Sequence, residues 1–161
     1  STRNSLMNEP VVTLDDRNPD RVDILHEYFV PVEAFGGFLE ACGEVLPNAF
    51  VEFLNVTLRF VDSDPVSLLA HSPTPRIAAV MSFTQEMTTR AEADHRRMTQ
   101  ALSARIVSLG GTYYLPYRPH ATQDQFIAAY PRSAEFAAKK REIDPNLTLR
   151  NNLWDTYLED L

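Results

Sequence analysis

The chain has 161 residues, 44% of them hydrophobic and 23% charged, which suits one folded domain with an apolar core. Its formal net charge of −7 argues against a nucleic-acid-binding surface, because such a surface needs clustered Lys and Arg. No apolar run approaches the roughly 18 residues of a membrane span, and the single cysteine, Cys42, excludes an internal disulfide.

The start of the chain carries no structural signal. Residues 1–21 are polar, contain Asn, Asp and Pro and lack periodicity, so we interpret them as a linker or a disordered end. Residues 1–4 resemble an internal cut more than a natural start, which leaves an upstream signal sequence open. Because one cysteine suits a reducing compartment, we expect a cytoplasmic protein.

A strand, a helix and a second strand are predicted next. Residues 22–30 are rich in β-branched and aromatic side chains, and Pro31 ends this strand. Apolar residues then recur at spacings of three and four up to residue 46, which predicts a helix with one apolar stripe. Cys42 lies on that stripe and is interpreted as inert packing. Residues 51–61 alternate in polarity and predict the second strand.

The two faces of this second strand differ in character. The apolar face, which we expect to pack against helices, consists of Leu54, Val56, Leu58 and Phe60. The polar face, which is left for solvent, a ligand or a partner domain, consists of Asn55, Thr57 and Arg59.

A strand, a long helix and a short strand complete the predicted sheet. Residues 62–75 contain three prolines and are predicted as a loop, and residues 77–83 as the third strand. Thr84 is a suitable N-cap for a long helix that Gly110 and Gly111 would end. His95 lies on the apolar stripe of this helix and is interpreted as a packed or interfacial imidazole. Residues 112–115 are the predicted fourth strand.

The resulting order β-α-β-β-α-β is the ferredoxin-like arrangement, an α+β fold in which an antiparallel sheet carries both helices on one face. We assign residues 22–120 to this domain. Residues 121–161 are predicted to form a C-terminal helical arm, in which Thr122 and Gln125 have the pattern of a capping box.

The familiar catalytic motifs are absent from the sequence. Five glycines give no phosphate-binding loop, and no nucleophile elbow is present. The four histidines have no metal-ligand spacing, so we predict no metal site. The densest group of chemistry-bearing residues is 113–120, with three tyrosines, an arginine and a histidine at the end of an edge strand. This segment is interpreted as a site or a domain interface, with surface packing as the alternative.

Four segments together resemble the C-terminal substrate domain of FAD-dependent oxidoreductases of the vanillyl-alcohol-oxidase type. Residues 26–31 (HEYFVP) resemble the opening strand of this domain in sugar-lactone and alditol oxidases, and residues 55–59 (NVTLR) resemble its central strand. Residues 110–118 resemble its last strand and following turn, and residues 126–157 its tail. The resemblance covers residues 22–158.

This resemblance implies that an FAD-binding domain of the same polypeptide holds the flavin, while this domain covers the flavin and holds a small hydroxylated substrate such as a sugar, lactone or polyol. The helical arm would pack on this domain or on the FAD-binding domain. The implied catalytic residues are Tyr117 and Arg118, and the implied cofactor contacts are Tyr117 and Asn151. The implied substrate-binding residues are Asn55, Thr57, Arg59, Tyr114 and His120.

The sequence departs from its apparent relatives at several of these positions. Sugar-oxidising relatives often have a Lys where this chain has Tyr117, and alditol oxidases have Glu and Arg in place of Asn55 and Thr57. Decaprenyl-phosphoryl-ribose oxidases have an Asn that aligns with Ala78. The fold and the cofactor class are therefore better predicted than the substrate. A Tyr117 phenol whose pKa is lowered by Arg118 is our hypothesis for the base.

Two other functions stay open. The domain could be a stand-alone ferredoxin-like module that binds a small ligand or dimerises without catalysis. A purely structural protein is a third interpretation, which no feature of the sequence favours.

Overall fold

The computed structural model describes residues 18–161. The strands are β1 (Arg21–Pro31), β2 (Glu52–Val61), β3 (Arg76–Glu86) and β4 (Thr112–Tyr113). The helices are α1 (Phe35–Val45), α2 (Thr89–Ser108), α3 (Gln123–Ala129) and α4 (Ser133–Ile143). Single 3-10 turns at Val32–Ala34 and Leu46–Asn48 flank α1, and a π-helical turn covers Trp154–Leu158. None of these helices is long and apolar enough to cross a membrane.

The four strands form one antiparallel sheet in the order β2-β3-β1-β4. Helices α1 and α2 pack on the same face of this sheet, and their contact with it forms the main apolar core. The ferredoxin-like α+β fold predicted from the element order is therefore confirmed. The core residues buried between sheet and helices include Tyr28, Val30, Phe38, Met81, Phe83, Met98, Leu102 and Ile106.

Strand β2 lies at the edge of the sheet and is not covered by the helices. The register pairs Val56 with Met81 and Leu58 with Ala79, so the apolar side of β2 faces the helical layer as predicted. However, Val56 is 40% exposed and Phe60 is 66% exposed. The expectation that this side packs against the helices is wrong, because α1 and α2 contact the central strands β1 and β3 instead.

The boundary between β3 and α2 also differs from the prediction. Thr84 does not cap α2, because it is paired with Asp23 in the long ladder between β1 and β3. The cap is Thr88, whose hydroxyl accepts the Ala91 N–H at 3.1 Å. The predicted end of the helix is confirmed, since Gly110 has φ +74° and follows the last turn directly.

The C-terminal arm packs on the β4 side of the sheet around a second apolar core. Its buried members are Ala121, Phe126, Ala129, Tyr130, Ala137, Trp154, Tyr157 and Leu158. The predicted capping box of Thr122 and Gln125 is confirmed at the start of α3. The Tyr130 hydroxyl donates to the Tyr113 carbonyl, which joins this arm to β4. Residues 1–17 of the predicted linker lie outside the described part of the chain. Residues 19–20 form a turn before β1.

Candidate functional site

The open face of the sheet carries a row of polar side chains along β2. The register pairs Thr57 with Val80 and Arg59 with Ala78, and these positions lie on the face that α1 and α2 leave open. Asn55, Thr57 and Arg59 are all exposed. The three predicted substrate-binding residues of β2 are thus brought together on one surface.

An aromatic group occupies the other side of the open face, where β1 meets the end of β4. The ring of Phe29 on β1 packs against the ring of His71 from the loop after β2, with centroids 4.4 Å apart and planes tilted by 38°. Tyr114 lies beside both rings, and the ring of Tyr117 follows at 5.3 Å from Tyr114. The Tyr114 N–H donates to the Glu27 carbonyl at 2.9 Å. This adds one backbone hydrogen bond to β1 beyond the end of β4.

The environment of Tyr117 raises its pKa. Partial burial of the phenol is the main cause, and the negative charge of Glu27 adds to it. Arg59 acts in the opposite direction but does not outweigh these effects. Our hypothesis that Arg118 lowers the pKa of Tyr117 is therefore wrong, because the Arg118 guanidinium is paired with Glu92 instead. A role for Tyr117 in proton transfer stays a prediction.

Arg118 and His120 turn away from the open face toward helix α2. Both side chains bind the carboxylate of Glu92, and His120 Nε2 lies 2.7 Å from Glu92 Oε1. His120 is buried, whereas Arg118 is about one-third exposed. The segment 113–120 therefore divides its predicted site residues between two sides, with Tyr114 and Tyr117 on one side and Arg118 and His120 on the other.

Three buried histidines meet on the helical side of the sheet. His26 comes from β1, His95 from α2 and His120 from the loop after β4. One ring nitrogen of each lies within 4.8 Å of the other two. In the part of the chain that the structure describes, this is the one group of His, Cys, Asp and Glu side chains with metal-binding geometry. Sequence spacing could not reveal it, because the three residues belong to three separate elements.

The hydrogen bonds around the cluster have a fixed direction. Glu92 only accepts, so Gln85 turns its NH₂ toward Glu92 Oε2 at 3.0 Å and its oxygen toward His95 Nδ1 at 2.7 Å. His95 therefore carries its proton on Nδ1. Its Nε2 then accepts from His26 Nε2 at 2.8 Å, and His26 Nδ1 accepts from the Tyr28 hydroxyl at 3.0 Å.

His120 is the opposite tautomer from His95. Its Nε2–H donates to Glu92, so its Nδ1 carries a lone pair. The Thr99 hydroxyl lies 3.5 Å from this nitrogen, but it donates its proton to the His95 carbonyl at 2.8 Å. The lone pair of His120 Nδ1 is therefore buried without a good donor.

All three imidazoles are neutral near pH 7. Burial lowers the pKa of His26 to about 3 and that of His95 to about 4. Burial also lowers the pKa of His120, although the bonded Glu92 carboxylate opposes this effect. A neutral imidazole is the form that binds a transition metal.

A small cavity adjoins the cluster between α2 and the end of β4. It has a volume of about 20 Å³ and is lined in part by His26, Thr99, Ser103 and Tyr113. The predicted site residues Tyr114, Tyr117 and Arg118 also line this cavity, so the two sides of the segment 113–120 meet there. The Ser103 hydroxyl and the Tyr113 hydroxyl are buried there and have no hydrogen-bond partner among residues 18–161. This volume and these polar groups suit a single water molecule.

Asn151, the predicted cofactor contact, lies beside Tyr117 on the surface. Both residues line an open cleft of about 380 Å³ between the loop after β4 and the C-terminal turn. The Asn151 side-chain oxygen accepts the Trp154 N–H at 3.0 Å, which leaves its NH₂ group as a donor for another acceptor. The two predicted cofactor contacts therefore share one surface.

A comparison with models of protein families finds no match to this chain, and a comparison with curated protein sequences finds none either. The interpretation of the site therefore rests on its residues and their geometry.

Proposed function

We propose that this chain is the substrate-binding domain of an FAD-dependent oxidoreductase that oxidises a hydroxylated small molecule. The observation that carries the proposal is the composition of the open sheet face. The polar row on β2 and the aromatic group on the β1–β4 side lie on the same face of the sheet. Two strand spacings, together about 10 Å, separate them. Such a surface can bind a flat cofactor and a polar substrate together.

The residues present fit a flavin held mainly by another domain of the polypeptide. Tyr117 and Asn151 would contact it from the cleft of about 380 Å³ that both residues line. The Tyr117 ring supplies an aromatic surface, and the Asn151 amide supplies a donor for a carbonyl oxygen. The sequence has no glycine-rich phosphate-binding loop of its own, which is consistent with this division of labour.

The polar row would orient the substrate. Arg59 forms no ion pair with another residue of 18–161, so its guanidinium is free to bind a substrate oxygen or an anionic group. Thr57 and Asn55 add one hydroxyl and one amide on the same face. These side chains would hold a sugar, lactone or polyol by directional hydrogen bonds.

The chemistry that FAD supplies when bound is the acceptance of a hydride from a carbon–hydrogen bond. The chain's own contribution is to hold the substrate hydroxyl and take up its proton. The raised pKa of Tyr117 keeps its phenol protonated at neutral pH, so this phenol positions the substrate hydroxyl. The Glu27 carboxylate beside it is the group we propose as the proton acceptor. Arg118 and His120 would act at a distance, by fixing the loop that carries Tyr117.

The test is the reductive half-reaction of the protein expressed from its complete gene. It is mixed anaerobically with sugars, lactones and polyols while the oxidised-flavin absorbance is recorded. We expect Arg59→Gln to raise the substrate concentration needed for half-maximal rate by roughly 10-fold or more. The matched control is Arg132→Gln, which removes an exposed arginine paired with Glu135 and should change nothing. Equal kinetics for the two variants would contradict the assigned role of the open face.

A second candidate function is favoured by the exposed apolar side of β2. Its members Phe53, Leu54, Val56, Leu58 and Phe60 are all at least 40% exposed. An apolar edge strand of this length can pair with the same strand of a second copy, which is the behaviour of a dimerisation module. Size-exclusion chromatography with light scattering distinguishes the two: a tight dimer that takes up no FAD favours the module.

A further inference from the structure

We propose that His26, His95 and His120 form a binding site for one divalent transition-metal ion, with Zn²⁺ the best match. This site goes beyond the proposed function, since nothing in flavin chemistry requires it. It lies on the opposite side of the sheet from the polar row of β2.

The first argument is the convergence of three imidazole nitrogens from three elements. His26 Nε2, His95 Nε2 and His120 Nδ1 are the atoms that remain after each ring has used its other nitrogen. One ring nitrogen of each histidine lies within 4.8 Å of the other two, and His26 Nε2 and His95 Nε2 are 2.8 Å apart. Nitrogen ligands around a tetrahedral Zn²⁺ are about 3.4 Å apart. Side-chain shifts of about an ångström would therefore seat the ion.

The second argument is the set of outer partners. Metal-binding histidines almost always use their other ring nitrogen to bond a carboxylate, a carbonyl or a similar acceptor. Here Glu92 accepts from His120, and the Gln85 amide oxygen accepts from His95. The Tyr28 oxygen lies 3.0 Å from His26 Nδ1. Each ligand is thus already oriented by a neighbouring oxygen.

The third argument is the position of the proton on each imidazole ring. His95 already has its proton on Nδ1 and His120 already has its proton on Nε2, so each has an unprotonated ring nitrogen that can bind a metal. The lone pair of His120 Nδ1 lacks a good donor, which is a cost that a bound cation would remove. His26 has to move its single proton from Nε2 to Nδ1, and the Tyr28 hydroxyl has to turn its own proton away so that its oxygen accepts from Nδ1. Binding therefore needs a change of tautomer but no net loss of a proton.

The adjoining cavity completes the coordination. Three protein ligands leave the fourth position of a tetrahedral ion to water. The cavity of about 20 Å³ shares His26 with the cluster and is also lined by Ser103 and Tyr113, whose buried hydroxyls have no partner among residues 18–161. A metal-bound water there would find acceptors in these hydroxyls. Because His26 belongs to β1, His95 to α2 and His120 to the loop after β4, the ion would fasten the loop that carries Tyr117 to β1 and α2.

The test uses the 161-residue chain after treatment with a chelator, with Zn²⁺ and Co²⁺ as probes. We expect one ion per chain by isothermal titration and elemental analysis, and a Co²⁺ visible spectrum typical of tetrahedral coordination. His95→Gln should abolish this binding. Gln85→Met, which removes an outer partner, should weaken it roughly 10- to 100-fold. His71→Gln is the matched control, because His71 lies on the other face of the sheet and should leave binding unchanged.

A second measurement avoids variants that could fail to fold. Two-bond ¹⁵N–¹H correlation spectra of the wild-type imidazoles report which nitrogen of each ring carries the proton. Without metal we expect His26 to be protonated on Nε2, and with Zn²⁺ on Nδ1, while His95 and His120 keep their tautomers. A wild-type chain that binds neither ion, or that binds them equally after His95→Gln, would overturn the proposal and leave a hydrogen-bonded histidine cluster only.

Discussion

The substitution Glu92→Ala tests the buried polar network most directly. Glu92 accepts hydrogen bonds from Arg118, His120 and the Gln85 amide, and its side chain is 37% exposed. Hydrogen bonds to a charged group contribute about 1.5–3 kcal/mol each, and water would replace part of this at the exposed side. We therefore expect the free energy of unfolding to fall by about 2–4 kcal/mol.

The assay is urea unfolding followed by circular dichroism, in the presence of a chelator so that bound metal contributes nothing. Glu135→Ala is the control, because Glu135 makes an exposed ion pair with Arg132 and should cost less than about 1 kcal/mol. If Glu92→Ala is no more destabilising than this control, the reasoning that Glu92 organises the loop and the histidines is refuted.

Three further substitutions test the fold around the site. Gly111→Ala should destabilise by about 1–3 kcal/mol in the same urea assay, because the new Cβ would lie 2.8 Å from the Phe29 carbonyl oxygen. Gly36→Ala, which meets nothing within 4 Å in the helix α1, should instead stabilise by about 0.5–1 kcal/mol. Phe126→Ala should cost about 3–5 kcal/mol, since its fully buried ring stacks in the core of the C-terminal arm; a loss below 1 kcal/mol would show that this arm is not part of the cooperative unit.

The sheet was predictable because its strands and helices show clear periodicity. The alternation of residues 51–61 and the stripe of α2 both determine which side faces inward, and the structure confirms those orientations. The exposure of β2 was not predictable in this way. Periodicity tells which side of a strand is apolar, but it does not tell how far the helices extend over the sheet.

The boundary of α2 illustrates how tertiary pairing overrides local signals. Thr84 and Thr88 are both good caps by residue type, so the sequence alone allows either. The long antiparallel ladder decides between them, because β1 reaches back to Arg21 and pairs with β3 as far as Glu86. A cap at Thr84 would have broken these strand hydrogen bonds.

The candidate sites differ in how much the sequence reveals. Alternation along one strand was enough to place Asn55, Thr57 and Arg59 on one surface. The histidine cluster was out of reach, because His26 and His95 are 69 positions apart and meet only through packing of α2 on β1. The separate orientations of Tyr117 and Arg118 depend on Glu92, a helix residue that local sequence could not connect with them.

The most direct test of the proposed function is the visible absorption spectrum of the protein purified from its complete gene. We predict the bands of a bound oxidised flavin, which should bleach on anaerobic addition of a hydroxylated substrate. A folded protein that shows no flavin bands and takes up no added FAD would contradict the proposal, and the exposed apolar edge of β2 would then favour a binding or dimerisation module.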